Sequence, residues 1–281
     1  MADTVSPVSP AFDLDAYLAR IGWGGSRAAD LATLSGIAAH HAAAIPFENL
    51  DPFLGRPVAL DPAALEDKLV RSGRGGYCYE HNLLLGHALA ALGFDASGLG
   101  ARVVWNRPPE SITARSHMLV RVRLDGGTHL VDVGFGGLTP TGALRLEPDV
   151  EQATPHEPFR LLLRRGEWWM QARVRGEWTT IYRFDLQRQH QVDYEVVSYH
   201  LSTNPASHFV TSLIAARAVP GRRIGLRGRD LAIHELGGDT RRRTLSSPSE
   251  IIDVLEGEMG IALPPDRAAL ERRLTALPAS S

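Results

Sequence analysis

The chain has 281 residues, 44% of them hydrophobic, a formal net charge of -2 and a pI of about 6.6. That balance sets up no bulk field towards nucleic acid or anionic lipid, and no apolar run approaches the roughly 18 residues of a membrane span. One cysteine, Cys78, forbids an internal disulfide and one lysine, Lys68, leaves little room for Schiff-base chemistry, so a soluble cytoplasmic protein without nucleic-acid or membrane partners is expected.

Residues 1–10 are polar and proline-bearing, lack the basic and apolar regions of a leader, and read as a frayed tail. Asp13 caps a first helix whose Leu14, Tyr17, Leu18 and Ile21 share a face before Gly22 stops it. Asp30 caps a second, carrying Leu31, Leu34, Ile37 and Ala38 and ending before Pro46. His40 and His41 at its C-terminal end suit a charge–dipole role better than metal binding. In the short non-helical segment 45–50, Phe47 is a core residue or a pocket wall. Pro62 suits the first turn of a third helix through Lys68 and Leu69, closed by Gly73. The apolar run 83–92 after Cys78 is a fourth, ending at Gly93.

From Leu99 the period becomes strand-like. Residues 101–105 form a strand and 106–113, with Pro108 and Pro109, a loop. Residues 116–124 and 128–135 form a hairpin about Asp125-Gly126-Gly127. Strands continue at 161–163, 168–174 and 178–184. Arg-Gly-Glu-Trp occurs at 165–168 and again at 175–178, which reads as two successive turns of an antiparallel meander. Trp168, Trp169 and Trp178 read as packing residues rather than base-stacking platforms. Segment 194–201 is mixed in character and 207–217 fits helix or strand. Residues 222–245 read as short strands turning at Gly228 and Gly237-Gly238, with Arg241, Arg242 and Arg243 as a solvated edge. Residues 249–258 form a capped helix, and Pro264 opens the last, through Leu274.

The chemistry concentrates in Arg74-Gly75-Gly76-Tyr77-Cys78-Tyr79-Glu80-His81-Asn82. A cysteine at a helix N-terminus meets free N–H groups and the positive dipole end, which favour the nucleophilic thiolate. Gly75 and Gly76 let the backbone come close to whatever the sulfur attacks. Such a nucleophile needs a base, and the base a third group to fix its tautomer. His117, 39 residues on, shares one strand face with Leu119, Arg121 and Arg123. Met118, Val120, Val122 and Leu124 form the other, taken as the core face, so His117 is expected to point away from the barrel core. Asp132 lies among valines, where a carboxylate is costly unless paired. A two-residue type I′ turn at Asp125-Gly126 pairs His117 with Gly134 and leaves Asp132 one diagonal away, roughly 7 Å between backbones. A Gly126-Gly127 turn adds an offset that separates them by roughly 13 Å. Only the first register brings the two side chains together. The bland alternatives are a buried, inert cysteine and a solvated aspartate.

These segments resemble the arylamine N-acetyltransferases over nearly the whole chain. Pro46-Phe47-Glu48-Asn49-Leu50 is similar to that family's N-terminal motif, and residues 74–82 to its nucleophile signature. Ser116-His117-Met118-Leu119-Val120 resembles its histidine strand, and Val131-Asp132-Val133-Gly134-Phe135-Gly136-Gly137 its aspartate strand and glycine loop. The resemblance implies an α+β fold with a helical bundle (1–95) carrying the nucleophile, an antiparallel β-barrel (96–203) carrying the histidine and aspartate, and an α/β lid (204–281). It implies Cys78, His117 and Asp132 as catalytic residues, Phe47 in the substrate pocket, and Tyr79, Ser116, Gly136, His208 and Phe209 as acyl or coenzyme contacts. Ser116 stands where the family has threonine. It also implies acetyl-CoA as acyl donor, an arylamine or hydrazine as acceptor, and a two-step reaction through an acetyl-cysteine. No metal is implied, and a homo-oligomer is left open. The same order of Cys, His and Asp occurs in transglutaminase-like enzymes. An amide synthase acting on another acyl thioester is therefore the close rival, and a transglutaminase-like peptidase or an inactive binding module the remoter ones.

Overall fold

The computed structural model describes residues 12–278, so the tail expected at 1–10 lies outside the described residues. The N-terminal third folds into helices α1 (Leu14–Ile21), α2 (Leu31–Ala44), α3 (Leu50–Phe53), α4 (Pro62–Leu65) and α5 (Cys78–Ala91), with a two-residue strand β1 (Phe47–Glu48) after α2. Asp13 and Asp30 accept first-turn N–H bonds as expected, and Gly22 closes α1 in the left-handed region, φ 66°. α4 runs into a π-helical turn, Glu66–Arg71, which carries Lys68 and Leu69 towards Gly73. α5 is apolar on most sides, and accordingly is buried on most sides: Cys78, Leu83, Leu84, Leu85, Ala88 and Leu89 all lie in the core.

Eight strands follow: β2 (Asp95–Val103), β3 (Arg115–Leu124), β4 (Gly127–Val131), β5 (Leu144–Arg145), β6 (Glu151–Gln152), β7 (Phe159–Arg164), β8 (Glu167–Val174) and β9 (Glu177–Arg188). They form one antiparallel sheet in the order β5-β4-β3-β2-β9-β8-β7-β6. Its two outer strands meet through one side chain. The Gln152 amide accepts from Arg145 N at 2.6 Å and donates to Arg145 O at 2.9 Å, imitating a ladder rung and nearly closing the barrel. The repeated Arg-Gly pairs are the meander's turns. Arg165-Gly166 (φ 51° and 81°) and Arg175-Gly176 (φ 52° and 86°) take the mirror-image conformation whose hand suits a twisted hairpin.

Helices α6 (Gln191–Thr203) and α7 (His208–Thr211) lead into strands β10 (Ile214–Val219), β11 (Arg222–Arg227), β12 (Asp230–Glu235) and β13 (Thr240–Thr244). A second sheet, β1-β10-β11-β12-β13, thus takes its first strand from the N-terminal third. The ambiguous segment 207–217 contains both a helical turn and a strand. Helix α8 (Pro248–Asp253), a π-helical turn (Val254–Glu258) and α9 (Arg267–Thr275) pack on this sheet. Among the described residues no helix is long and apolar enough to cross a membrane.

Several local expectations are corrected. The strand expected at 101–105 is β2, which starts at Asp95 and leaves Trp105 outside. Pro264 lies ahead of α9, which Asp266 caps. His41 is buried and bonded to Tyr17 and His81 rather than serving the α2 dipole, and His40 reaches Ile21 O at 3.1 Å. The largest correction concerns β3. Met118, Val120 and Val122 pack outward against the leucines of α5, whereas Leu119 joins Leu99, Leu130, Trp168 and Met170 inside the barrel. The His117 face therefore looks into the barrel. With a helix laid on its outside, the sheet is apolar on both faces, so Arg121 and Arg123 mark only the solvent end of the strand.

Candidate active site

Cys78 opens α5, buried, with Sγ 3.8 Å from Ser116 O. The turn before it is held from below. Glu80 accepts the Tyr77 N–H at 3.0 Å and Lys68 Nζ at 2.6 Å. Lys68 also reaches Asp51 at 2.6 Å, while Arg74 bridges Glu48 (2.7 Å) and Asp51 (3.2 Å). The only lysine of the chain thus belongs to an ionic network that ties residues 48–51 to the loop ahead of the cysteine. The two glycines serve that closure. A Cβ on Gly75 would lie 1.9 Å from Pro46 O, and one on Gly76 2.7 Å from the Glu80 carboxylate. Their close approach is to the protein itself, not to a substrate. Tyr77 N–H being taken, the next amides, of Cys78 and Tyr79, make no hydrogen bond among the described residues.

His117 Nε2 lies 2.7 Å from Asp132 Oδ2, which leaves Nδ1 as the other ring nitrogen, and Cys78 is a near neighbour that also favours the charged ring. Phe135 meets the ring edge-on at 5.2 Å, and Tyr182 packs at 5.1 Å. Burial disfavours an imidazolium here. The Asp132 charge and hydrogen bond, with the contact to Cys78, outweigh it and push His117 up to about 10. Burial would likewise raise Asp132, but the charge and hydrogen bond of His117, the Asn82 amide and the Gly134 N–H hold it below its ordinary value.

The register that brings the pair together is the two-residue one, with Leu124 opposite Gly127. The turn is not type I′, since neither Asp125 nor Gly126 has a positive φ; Gly127 does, at 125°. Nor does His117 pair with Gly134. Ladder pairing ends at Val120–Val131, and residues 132–134 peel away. Asn82 catches them: its Nδ2 donates to Asp132 Oδ1 (3.1 Å) and Met118 O (2.8 Å), and its Oδ1 accepts from Val133 N (3.1 Å). Thr139 Oγ1 donates to Asp132 O and accepts from Phe135 N. Sequence reasoning gave neither residue a role. The signal for Asn82 was its position four residues after Cys78, hence on the same helix face.

The remaining expected site residues fall in different places. Phe47 stands between Phe209 (6.3 Å) and Gly136, where a Cβ would lie 3.4 Å from its ring. His208 packs on Phe209 at 4.1 Å, and Asn49 staples that turn by donating to Phe209 O and Ser212 O, both at 2.7 Å. Gly136 holds φ 80°. Tyr79 lies elsewhere: it packs on Tyr77 and Tyr194 and, with His117 and Arg115, lines a separate cavity of about 280 Å³. Ser116 contributes its carbonyl to Cys78. On the glycine-loop side, Gly137 and Leu138 border a groove of about 730 Å³ between the barrel and the second sheet, lined also by Trp105, Arg173, Arg175, His234 and Arg242.

A family model described as N-acetyltransferase matches residues 30–268. The arylamine N-acetyltransferase of Mycobacterium tuberculosis is 46% identical over 273 residues, covering 95% of this chain and 96% of the relative. The chain belongs to the arylamine N-acetyltransferase family. The Mycolicibacterium smegmatis acetyltransferase is likewise 46% identical, over 90% of this chain and 93% of its own length. In shape, this acetyltransferase matches the Mycobacterium marinum enzyme solved in complex with CoA, with a TM-score of 0.91 at 45% identity, covering 94% of this chain and 99% of the other. The helical bundle, antiparallel barrel and α/β lid are the architecture of an arylamine N-acetyltransferase.

Proposed function

We propose that this enzyme moves an acetyl group from acetyl-CoA to arylamines and arylhydrazines in two steps, through an acetyl thioester on Cys78. The observation that carries this reading is the buried line from Asp132 through the His117 ring to Cys78, 2.7 Å at its first link. In the first step the Cys78 proton resides on His117 and the sulfur attacks the acetyl carbonyl. The C–S bond to CoA breaks, His117 gives its proton to the departing sulfur, and CoA leaves as the thiol with the His117 ring neutral. The amides of Cys78 and Tyr79 are the available donors for the transient oxyanion. In the second step the amine attacks the acetyl-cysteine, His117 accepts its proton, and the Cys78 sulfur leaves. Anilines suit this step because they are largely unprotonated at neutral pH. Phe47, Phe209 and Gly136, packed against the Phe47 ring, form the apolar side of the site, which disfavours hydrolysis of the acyl-enzyme.

For CoA, the groove beyond Gly137 fits in size and charge. Arg175 and Arg242 line it and make no ion pair among the described residues, so they are available for phosphates. The test is intact-protein mass spectrometry after adding acetyl-CoA without amine. One acetyl group should appear on Cys78 and be discharged by an aniline; acetyl elsewhere, or none, refutes the reading. Charging by longer acyl thioesters, with discharge only by an amine within the same chain, would turn it into an amide synthase.

A further inference from the structure

Behind Phe47 lies a chain of buried hydrogen bonds that the reaction above does not use. Tyr17 Oη is 2.9 Å from His41 Nδ1, His41 Nε2 is 2.9 Å from His81 Nδ1, and His81 Nε2 is 3.2 Å from Pro46 O. All three side chains are fully buried. The last link decides the rest. A carbonyl only accepts, so His81 Nε2 must carry a hydrogen. If the ring is neutral, His81 Nδ1 then accepts from His41 Nε2–H, and His41 Nδ1 accepts from the Tyr17 hydroxyl. Burial favours neutrality, lowering His81 to about 4 and His41 well below its ordinary value. Glu48 and Lys68 face His81, and Arg20 faces His41, without reversing either shift. Every hydrogen in the chain therefore points towards Pro46.

Pro46 is where three parts of the site meet. Its oxygen is the atom that a Cβ on Gly75 would strike, and Phe47 pairs with Gly76 in the strand beside it. The Phe47 ring lies parallel to the His81 ring, at 8° and 6.3 Å. His81 itself is on α5, one turn after Cys78.

We propose that His81 is a positioning residue for acceptor selection: through the directed chain Tyr17–His41–His81–Pro46 it sets Phe47 relative to Cys78, and so the depth of the apolar wall against which the arylamine ring packs. The inference rests on Phe47 being that wall. A hydrogen bond that carries no charge still sets position here, because it links the nucleophile's own helix to the wall's own strand. Loss of the donor at His81 leaves Pro46 O without its side-chain partner and frees the strand to shift.

The test has two arms. In ¹⁵N-labelled native protein, long-range imidazole spectra should show both His41 and His81 as neutral Nε2–H tautomers. A protonated ring, or an Nδ1–H tautomer at His81, overturns the proposal without any mutation. In the kinetic arm, His81→Leu should raise KM for arylamines about tenfold, with kcat changed less. His81→Gln, which keeps one donor and one acceptor, should recover KM to within about twofold. Phe47→Ala should raise KM similarly, and the double variant should be no worse than either single one, as coupled positions require. Equal losses for Leu and Gln, multiplicative losses with Phe47→Ala, or an unchanged KM each overturn it. Failure of the enzyme reading itself shows separately, as absence of acetyl on Cys78 in the native protein.

Discussion

Asn82 donates its side-chain amide to Asp132 Oδ1 at 3.1 Å, although the two residues come from the nucleophile's helix and from the end of a barrel strand. The same Asn82 accepts the Val133 N–H and donates to Met118 O, so one side chain docks α5 onto both strands of the hairpin. Asp132 is thus held from both oxygens, by His117 on one and by Asn82 and the Gly134 N–H on the other.

Asn82→Ala should therefore damage both stability and turnover. It strands the buried Val133 N–H and takes away one of the two donors to Asp132 Oδ1, a cost of about 1–3 kcal/mol. It should also lower kcat/KM by about 10- to 100-fold, by analogy with lost outer-shell partners of other site histidines. Urea melts and steady-state kinetics check this; native kcat/KM would remove Asn82 from the positioning machinery. Asn82→Asp should be worse at neutral pH, because a second carboxylate beside Asp132 drives one of them to take a proton.

The His117–Asp132 pair has a signature in pH. His117 is raised from 6.5 to about 10. Its contribution to stability is fully present below the unfolded value and is lost as pH rises through about 10. Asp132 is lowered, so its contribution is present above the unfolded value of about 3.9 and is lost as pH falls through the lower folded one. In Asp132→Asn, burial acts on His117 with only the contact to Cys78 opposing it, and the ring should be neutral at about pH 7. Subtracting the variant's stability from the native one across pH should leave a difference that shrinks progressively from about pH 6.5 up to about pH 10. Activity should fall by about 10³- to 10⁴-fold, as for loss of the orienting aspartate in other triads. A pH-independent difference would mean the pair is not charged as described.

Gly134 is a steric requirement rather than a flexible joint. A Cβ there would lie 2.8 Å from Cys78 Cα and from Asn82 Nδ2, and 2.9 Å from Cys78 O. Two of those atoms are backbone and cannot give way, so Gly134→Ala should cost about 1–3 kcal/mol or more and push residues 132–135 off α5. Gly126→Ala is the control. Nothing lies within 4 Å of its Cβ, and the change should stay within about 0.5 kcal/mol. Equal effects at both positions, read by thermal denaturation, would contradict the packing.

The basic groove offers a test confined to the coenzyme. Arg175→Glu with Arg242→Glu should raise KM for acetyl-CoA about tenfold or more, and make it less sensitive to salt. Charging of Cys78 by a donor without phosphates, such as p-nitrophenyl acetate, should change little. Parallel losses with both donors would place the CoA phosphates elsewhere.

The amino-acid pattern was enough for the elements whose signals are local. The Asp13 and Asp30 caps, the Gly22 stop and the Arg-Gly turns depend on a residue's own backbone and its near neighbours, and they stand where the pattern put them. The Asp125-Gly126 turn fixed the hairpin register, and with it the meeting of His117 and Asp132, although the turn's conformation differs. Which side of β3 faces inward was not local information. It depends on α5 covering the outside of the sheet, a contact between segments far apart in the chain, and alternation cannot distinguish two buried faces. The same holds for Asn82 at Asp132, for His41 bonded to His81, and for the glycines pressed on Pro46 and Glu80. Each is a meeting of residues from separate elements, and only their packing into one body brings the atoms within bonding distance.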